Sequence, residues 1–214
     1  MVRVRRGSDS GLDPRRTRLA IIAALALSLG GCGSPAPRPI ERFYALDPAP
    51  LETPSGTSNP GTLQVGELAA RGFLGGRQIV FRAESSPLEV LRHPQLLWEE
   101  PVPRAMTRNL VEGLRAAKVF RFTLVQADRG RADYRLGGEV LRFEHLPTAV
   151  TPRVSGTLEL ALVRAADRSV LSNNRYSREV EIQGTTPEAM VEAFNRLAAL
   201  LVADVVRDLR IHAP

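Results

Sequence analysis

Two kinds of hydrophobic periodicity run along this chain, and together they predict its strands and helices. Residues 63–68 and 158–163 alternate between apolar and polar or small positions, which is typical of half-buried strands. Apolar residues recur every three or four positions in 104–118 and again after Thr186, which indicates amphipathic helices. The other predicted strands are 42–46, 78–82, 120–125, 134–143 and 170–182, with a short extended segment at 88–92 and a turn at 166–168.

The two predicted helices carry local signals for where they begin. Thr186 is a typical N-cap residue, Pro187 suits a first turn because its missing amide costs nothing there, and Glu188 complements the helix dipole. Pro101 and Pro103 precede the other helix in the same way. One mixed β-sheet packed by two helices, an α/β domain with α+β layering, is therefore the expected fold class.

The first 31 residues have the three-part pattern of a secretory signal peptide. A basic stretch that ends at Arg18 precedes an apolar run of 11 residues, 19–29, and small residues follow. A membrane-spanning helix needs about 20 apolar residues, so this run is too short to remain in the bilayer as one. The pair Arg15 and Arg16 leaves twin-arginine export as an alternative, although the general secretory route fits the pattern better.

The end of the apolar run resembles a bacterial lipobox. Leu29, Gly30 and Gly31 place one aliphatic and two small residues before Cys32, the single cysteine of the chain. We expect the thiol of Cys32 to accept a diacylglycerol before cleavage in front of it; the alternative is an ordinary signal peptide with a chance cysteine. Gly33 follows, whereas aspartate at that position retains enterobacterial lipoproteins in the inner membrane. The resemblance therefore implies an outer-membrane lipoprotein that faces the periplasm.

These signals divide the chain into three parts. We expect a lipoprotein signal peptide at 1–31, a lipidated cysteine with a Pro-rich tether at 32–41, and one domain at 42–214. An extended Pro-rich tether advances about 3.1 Å per residue, so it would hold the domain close to its membrane. Residues 47–61 are rich in Pro, Ser, Thr and Gly and predict a surface loop, and the glycines between 72 and 76 predict another.

Composition and charge exclude several classes of function. The 214 residues, 43% hydrophobic and 24% charged, suit one globular domain. A single cysteine excludes an intrachain disulfide and the cysteine-rich zinc or iron–sulfur sites. Residues 1–31 carry +4 of the formal net charge of +6, so the remainder carries only +2, and a nucleic-acid partner is not expected.

Residues with catalytic potential are scattered along the chain. His93, His145 and His212 have no metal-binding spacing, and no nucleophile elbow occurs. Glu99 and Glu100 are neighbours on an extended chain, so they would point to opposite faces and form no acid/base pair. We therefore expect no enzyme, no cofactor and no metal site. A periplasmic hydrolase with a site assembled from distant residues is the alternative.

Several segments after the lipobox resemble the ABC-type transport auxiliary lipoprotein components, the paraquat-inducible protein C family. Residues 42–46 resemble its R-x-Y-x-L opening, 78–82 its Q-I-V-x-R strand, and 97–102 its W-x-E-P-[LV] junction before a helix. The loop at 71–76 departs from the family's L-P-x-Y-L-D-R. Trp98, the single tryptophan, is expected to pack rather than to stack on a ligand. The motif positions, structural or partner-contacting, are Phe43, Tyr44, Leu46, Gln78, Ile79, Trp98, Glu100 and Pro101.

The resemblance also implies a function and partners. Members of this family are accessory lipoproteins of MCE-type ABC transport systems, which move phospholipids or other hydrophobic molecules across the cell envelope. The implied partners are the MCE-domain protein and its ABC permease and ATPase, with the lipoprotein docking as a homo-oligomer. An outer-membrane assembly lipoprotein that binds a β-barrel protein is the alternative.

Overall fold

Residues 40–49, 58–148 and 150–212 are described by the computed structural model of this protein. They form a mixed, curled β-sheet packed by two helices, an α+β fold, so the predicted fold class is confirmed. The strands are β1 (Arg42–Tyr44), β2 (Asn59–Val65), β3 (Ala69–Ala70), β4 (Gln78–Phe81), β5 (Leu91–Trp98), β6 (Phe120–Val125), β7 (Tyr134–Leu146), β8 (Arg153–Arg164) and β9 (Val170–Glu181), and the helices are α1 (Val102–Ala116) and α2 (Pro187–His212).

The long strand β7 organises the sheet, because other strands pair along both of its edges. Along one edge β2, β3 and β4 follow one another, all parallel to β7. Antiparallel β8 covers the other edge, and β9 pairs with β8. The sheet continues beyond β2 to β6 and beyond β4 to β5 and β1. Strands β1 and β6 consequently lie at opposite ends of the strand order β1-β5-β4-β7-β2-β6.

The hairpin of β8 and β9 follows from its alternating leucines and its turn. Leu158, Leu160 and Leu162 are each at most 2% exposed, so the predicted strand presents its leucines to the core. In the turn, the Asp167 carboxylate accepts hydrogen bonds from the backbone N–H of Ser169 at 3.0 Å and from its hydroxyl at 2.7 Å. These two bonds hold the pKa of Asp167 below its usual range. The predicted hairpin turn is confirmed.

Both helices begin close to the predicted positions and lie on one face of the sheet. Thr186 Oγ1 accepts a hydrogen bond from the backbone N–H of Ala189 at 3.2 Å, which confirms the predicted cap of α2. Helix α1 begins at Val102, before the predicted start at 104, so that Pro103 lies inside its first turn. Helix α2 packs on β8 and β9, α1 packs on β2, β6 and β7, and the two helices contact each other.

Strand β5 is longer than the extended segment predicted at 88–92. It contains Pro94, which has no N–H to donate to a neighbouring strand and therefore argues against a strand at the sequence level. The register between β4 and β5 shifts between Gln78 and Val80, and this irregularity lies beside the proline. A break in regular pairing thus accommodates a residue that regular pairing would exclude.

The predicted loops contain more regular structure than their composition indicates. Strand β2 begins at Asn59, inside the loop predicted at 47–61, where it runs parallel to β6. The glycine-rich segment before β4 includes the short strand β3 and a 3₁₀ turn at Gly72–Gly75. Strands β2 and β3 form by pairing with strands that are distant in the sequence, and local composition does not indicate such pairing.

Candidate functional site

Two side chains fasten the first strand to the start of helix α2. Arg42 forms an ion pair with Glu188, and Tyr44 Oη donates a hydrogen bond to Glu188 Oε1 at 3.1 Å. The Glu188 carboxylate accepts a hydrogen bond from its own backbone N–H, and this bond, the hydrogen bond from Tyr44 and the positive charge of Arg42 lower its pKa. Burial and the adjacent Glu188 raise the pKa of Tyr44. At neutral pH the phenol is therefore a donor and the carboxylate an acceptor, which suits the observed geometry.

The chain directly after β1 is bound by helix α1. Leu46 is 3% exposed, and its carbonyl accepts hydrogen bonds from Arg108 Nη2 at 3.0 Å and Asn109 Nδ2 at 3.3 Å. The backbone N–H of Glu99 donates to the carbonyl of Tyr44 at 2.8 Å, next to the parallel pairing of β1 with β5. Strand β1 is consequently fixed to β5 and to both helices.

Trp98 fills the space between the sheet and helix α2. Its ring, 2% exposed, contacts Phe143 and Phe194 edge-on at centroid distances of 6.0 and 5.2 Å, and those two rings stack at 4.8 Å. Its carbonyl accepts a hydrogen bond from Arg77 Nε at 3.0 Å. The predicted packing role of Trp98 is confirmed, and the buried ring offers no stacking surface to a ligand.

Glu100 and Pro101 form the junction from β5 to helix α1. Pro101 has φ −55° and ψ 140°, and its carbonyl accepts the backbone N–H of Ala105 at 3.1 Å to begin the helix. The Glu100 carboxylate accepts a hydrogen bond from Arg108 Nε at 3.2 Å, whereas the neighbouring Glu99 is exposed. As predicted, the two adjacent carboxylates have different surroundings, one bound by an arginine and one exposed to solvent.

The motif positions meet where β1, β4 and β5 adjoin the first turns of both helices, a region called here the motif corner. Strand β4 supplies its inner part, with Ile79 fully buried and Gln78 half-buried opposite Leu97 of β5. Of the eight motif residues, seven are buried or half-buried, and Phe43 is the exposed one at 51%. The motif corner is therefore mainly structural, and Phe43 is its member best placed to contact a partner.

A groove of about 300 Å³ lies between helices α1 and α2. Buried Asn109 lies in its wall, and the Oδ1 atom of this amide has no hydrogen-bond partner among the described residues. Apart from Asp47, Asn109 and Glu112 the groove is lined by apolar or small residues, so it suits an apolar group. The small and apolar lining residues are Pro48, Ala49, Gly113, Ala116, Ala199, Val202, Ala203 and Val206.

Two histidines that are distant in sequence meet beside β4. His93 Nε2 lies 3.3 Å from His145 Nδ1, and the Phe81 ring lies 4.5 Å from the His93 ring. Burial lowers the pKa of His93; burial, and then the proximity of His93, lower the pKa of His145 to about 4. Both imidazoles are therefore neutral at neutral pH and share one hydrogen bond. Sequence spacing does not indicate this pair, because only the placement of β4 between β5 and β7 brings the two rings together.

The described part of the chain shows neither a metal-binding cluster nor a membrane-spanning helix. Within it, no group of three or more His, Cys, Asp and Glu side chains is placed to hold a metal ion. None of the helices in residues 40–49, 58–148 and 150–212 has the length and hydropathy needed to cross a bilayer. The lipobox residues Leu29, Gly30 and Gly31 and the proposed lipid attachment site Cys32 lie outside the described residues, so lipidation stays a prediction.

Residues 44–206 match the family model described as ABC-type transport auxiliary lipoprotein component. The chain belongs to this family. The match begins within β1 and ends within α2, so the matched region contains nearly all of the motif corner and most of the folded domain. The resemblance carried by the motif residues is confirmed. Membership assigns the chain to the cell envelope as a membrane-anchored lipoprotein with an accessory role in ABC-type transport.

Solved structures share the fold of this auxiliary lipoprotein component at low sequence identity. Protein XCC0632 from Xanthomonas campestris, of family DUF330, has a TM-score of 0.71 and 20% identity, covering 80% of this chain and 95% of its own. A second structure, described as an uncharacterized protein, has a TM-score of 0.63 and 18% identity, covering 79% and 98%. Comparison with curated proteins gave no match. At these identities the likeness establishes the fold.

Proposed function

We propose that this protein is the accessory lipoprotein of an MCE-type ABC transport system that moves phospholipids or other hydrophobic molecules across the cell envelope. The observation that carries the proposal is the position of the family domain, whose match begins at residue 44, twelve positions after the lipobox cysteine Cys32. Acylated Cys32 would anchor an ABC transport auxiliary domain directly beside a membrane. Gly33 after the cysteine favours the outer membrane, with the domain facing the periplasm.

A lipid anchor lets a weak protein contact suffice for this role. Each buried methylene of an acyl chain contributes about 0.8 kcal/mol, so the chains of a mature lipoprotein together hold it at the bilayer. The short tether keeps the domain near that bilayer, which raises its effective concentration for a transport protein that reaches the same membrane. We assign the chain a binding role rather than an enzymatic one, with transport energy supplied by the partner ATPase.

The motif corner holds the first strand of the domain against both helices. The tether leads directly into β1, whose side chains bind Glu188 of α2, and the following Leu46 carbonyl is held by Arg108 and Asn109 of α1. Because both helices and β5 hold this short segment, the domain cannot turn independently of the residues that follow the tether.

Crosslinking in cells tests the partner. The full-length protein would be crosslinked, purified by an affinity tag, and its partners identified by mass spectrometry. We expect an MCE-domain protein with its permease and ATPase, and weaker recovery from a Cys32→Ser variant because the anchor is lost. Recovery of an outer-membrane β-barrel protein with no MCE-domain protein would contradict the proposal and support the assembly lipoprotein as the alternative.

We also propose that the protein forms homo-oligomers. In the described part of the chain, the 12-residue strand β9 pairs with β8 along one edge and with no strand along the other. The backbone groups of an unpaired edge strand pair readily with a strand of another chain. Size-exclusion chromatography with light scattering of the purified lipoprotein in detergent is expected to show a discrete oligomer, and a monomer at micromolar concentration would contradict this.

A further inference from the structure

Two exposed phenylalanine rings near the N-terminal end of the domain are each covered by an arginine. Phe43 of β1 is 51% exposed, and the guanidinium carbon of Arg77 lies 4.9 Å from its ring centroid. Phe73, in the 3₁₀ turn before β4, is 43% exposed, and the guanidinium carbon of Arg92 lies 4.4 Å from its ring centroid. These four residues are called here the Arg–Phe surface.

Strand alternation places the Arg–Phe surface on the sheet face that is turned away from α2. Successive side chains of a strand point to opposite faces. Both neighbours of Phe43 in β1 reach Glu188 of α2, so Phe43 points to the other face. In β4, Ile79 belongs to the core packed by the helices, so the next residue, Val80, points to the other face, and Arg92, which pairs with Val80 on β5, points there too. The two arginine–phenylalanine pairs therefore share one face.

The Arg–Phe surface combines exposed apolar area with positive charge. Within the described part of the chain, neither Arg77 nor Arg92 forms an ion pair with a carboxylate. A guanidinium stacked on a ring contacts it through its flat face, which leaves the N–H groups at its edge able to donate. Arg77 donates from Nε to the Trp98 carbonyl, so its Nη groups are its remaining donors. The surface consequently offers apolar rings and hydrogen-bond donors for an anion side by side.

The length of the N-terminal chain limits how far this surface lies from the proposed anchor. Cys32 and Ile40 are eight positions apart in the sequence, and even a fully extended chain spans only about 28 Å over that length. Ile40 is 81% exposed and stands two positions before β1, the strand that carries Phe43. The Arg–Phe surface is thus near the point where the tether enters the domain.

We propose that the Arg–Phe surface is a lipid-contacting face that rests on the bilayer into which the acyl chains of Cys32 insert. This inference rests on the acylation proposed above. Aromatic rings on a basic face bury into the boundary between headgroups and acyl chains, and guanidinium groups bind lipid phosphates through paired hydrogen bonds. Charge complementarity to phosphate and the short tether both favour a lipid surface over a protein partner. The face covered by α1 and α2 then points away from the membrane and is left for protein partners.

Tryptophan fluorescence in proteoliposomes tests this orientation. The chain has a single tryptophan, Trp98, which is 2% exposed, so emission of the wild-type protein is expected to respond little to quenchers in the bilayer. The full-length lipidated Phe43→Trp variant would be placed in phosphatidylcholine–phosphatidylglycerol vesicles with brominated acyl chains. We expect several-fold stronger quenching than in the wild type. Phe122→Trp is the matched control, since Phe122 is 53% exposed on β6 with Arg121 at 5.3 Å from its ring.

Further variants keep the test decisive if Phe43→Trp folds poorly. Phe73→Trp is a second reporter on the same surface and is expected to be quenched to a similar degree. Adding Arg77→Glu and Arg92→Glu to the folded reporter is expected to lower its quenching several-fold, because both would repel lipid phosphates. Arg121→Glu, the matched change on β6, is expected to leave the quenching of the same reporter unchanged.

The outcomes separate this inference from the proposed anchor. If the wild-type protein and Cys32→Ser float equally with vesicles, or neither floats, the anchor proposal fails and this inference fails with it. If the wild-type protein floats and Cys32→Ser does not, the anchor stands. Should both folded reporters then be quenched no more than Phe122→Trp, the Arg–Phe surface faces away from the bilayer and the inference is overturned. Stronger quenching of the reporters than of the control supports it.

Discussion

At the scale of single residues, Trp98 holds the motif corner together. Its ring contacts Phe143 and Phe194 and is 2% exposed, so removing it leaves a large cavity between the sheet and α2. We expect Trp98→Ala to lower the free energy of unfolding by about 3–5 kcal/mol. Urea unfolding followed by circular dichroism measures this change, with Leu88→Ala as a control because Leu88 is 94% exposed. Equal stability of the two variants would contradict the packing role.

The histidine pair makes stability depend on pH in the mildly acidic range. Burial holds the pKa of His145 at about 4, below its ordinary 6.5, so the unfolded chain takes up a proton before the folded one does. The stabilising contribution of the neutral ring is present above pH 6.5 and is lost progressively as the pH falls toward about 4. We expect His145→Gln to have a smaller stability difference between neutral pH and the middle of this range. Urea midpoints at both pH values test this, and an unchanged difference would count against it.

The packing of Trp98 could be predicted from the sequence, whereas the histidine pair could not. The position of Trp98 between a predicted strand and a predicted helix already favoured packing. The meeting of His93 with His145 could not be predicted, because it depends on β4 lying between β5 and β7, and this strand order has no local signal. Similarly, the Arg–Phe surface combines residues from three separate segments of the chain.

At the scale of elements, strand β7 depends on one of its two adjacent glycines. Gly138 has φ 156°, and a Cβ there would lie 2.0 Å from the Glu159 carbonyl oxygen of β8, whereas a Cβ on Gly137 would meet nothing within 4 Å. We expect Gly138→Ala to cost about 2–4 kcal/mol through overpacking and backbone strain. Gly137→Ala is the matched control and is expected to change the urea midpoint little. Equal urea midpoints for the two variants would show that the Glu159 carbonyl does not restrict which residue can occupy position 138.

Elements with strong local signals were predictable, whereas those that depend on distant pairing were not. The strand Phe120–Val125 and the cap at Thr186 agree with the sequence because alternation and capping act within a few residues. Strand β5 was missed for most of its length, since Pro94 argues against a strand and only the irregular pairing with β4 accommodates it. Strand β8 begins at Arg153, earlier than its leucines indicate, because β7 and β9 pair with it on both sides.

At the scale of the whole molecule, the two faces of the sheet have different proposed partners. The face that carries the Arg–Phe surface is proposed to rest on lipid, and the face covered by α1 and α2, with its groove of about 300 Å³, is left for proteins. Fold class and family were accessible from the sequence because hydrophobic periodicity and the motif segments 42–46, 78–82 and 97–102 are local features of the chain.

Removal of the acylated thiol should release the protein from membranes. We expect Cys32→Ser to abolish the lipid-modified mature form in the membrane fraction, because serine cannot accept the diacylglycerol through a thioether. Ser34→Ala, just outside the lipobox, is the control and is expected to remain with the membranes. Cell fractionation followed by immunoblotting measures both. A Cys32→Ser protein of mature size that remains with the membranes would show that another segment anchors the chain.

The mass of the N-terminal peptide of the mature protein, purified from membranes, is the most direct test of acylation at Cys32. We expect a peptide that begins at Cys32 and carries a diacylglycerol on its sulfur and an acyl group on its amine. A mature chain that begins at any other residue, or that begins at Cys32 with an unmodified thiol, would contradict it.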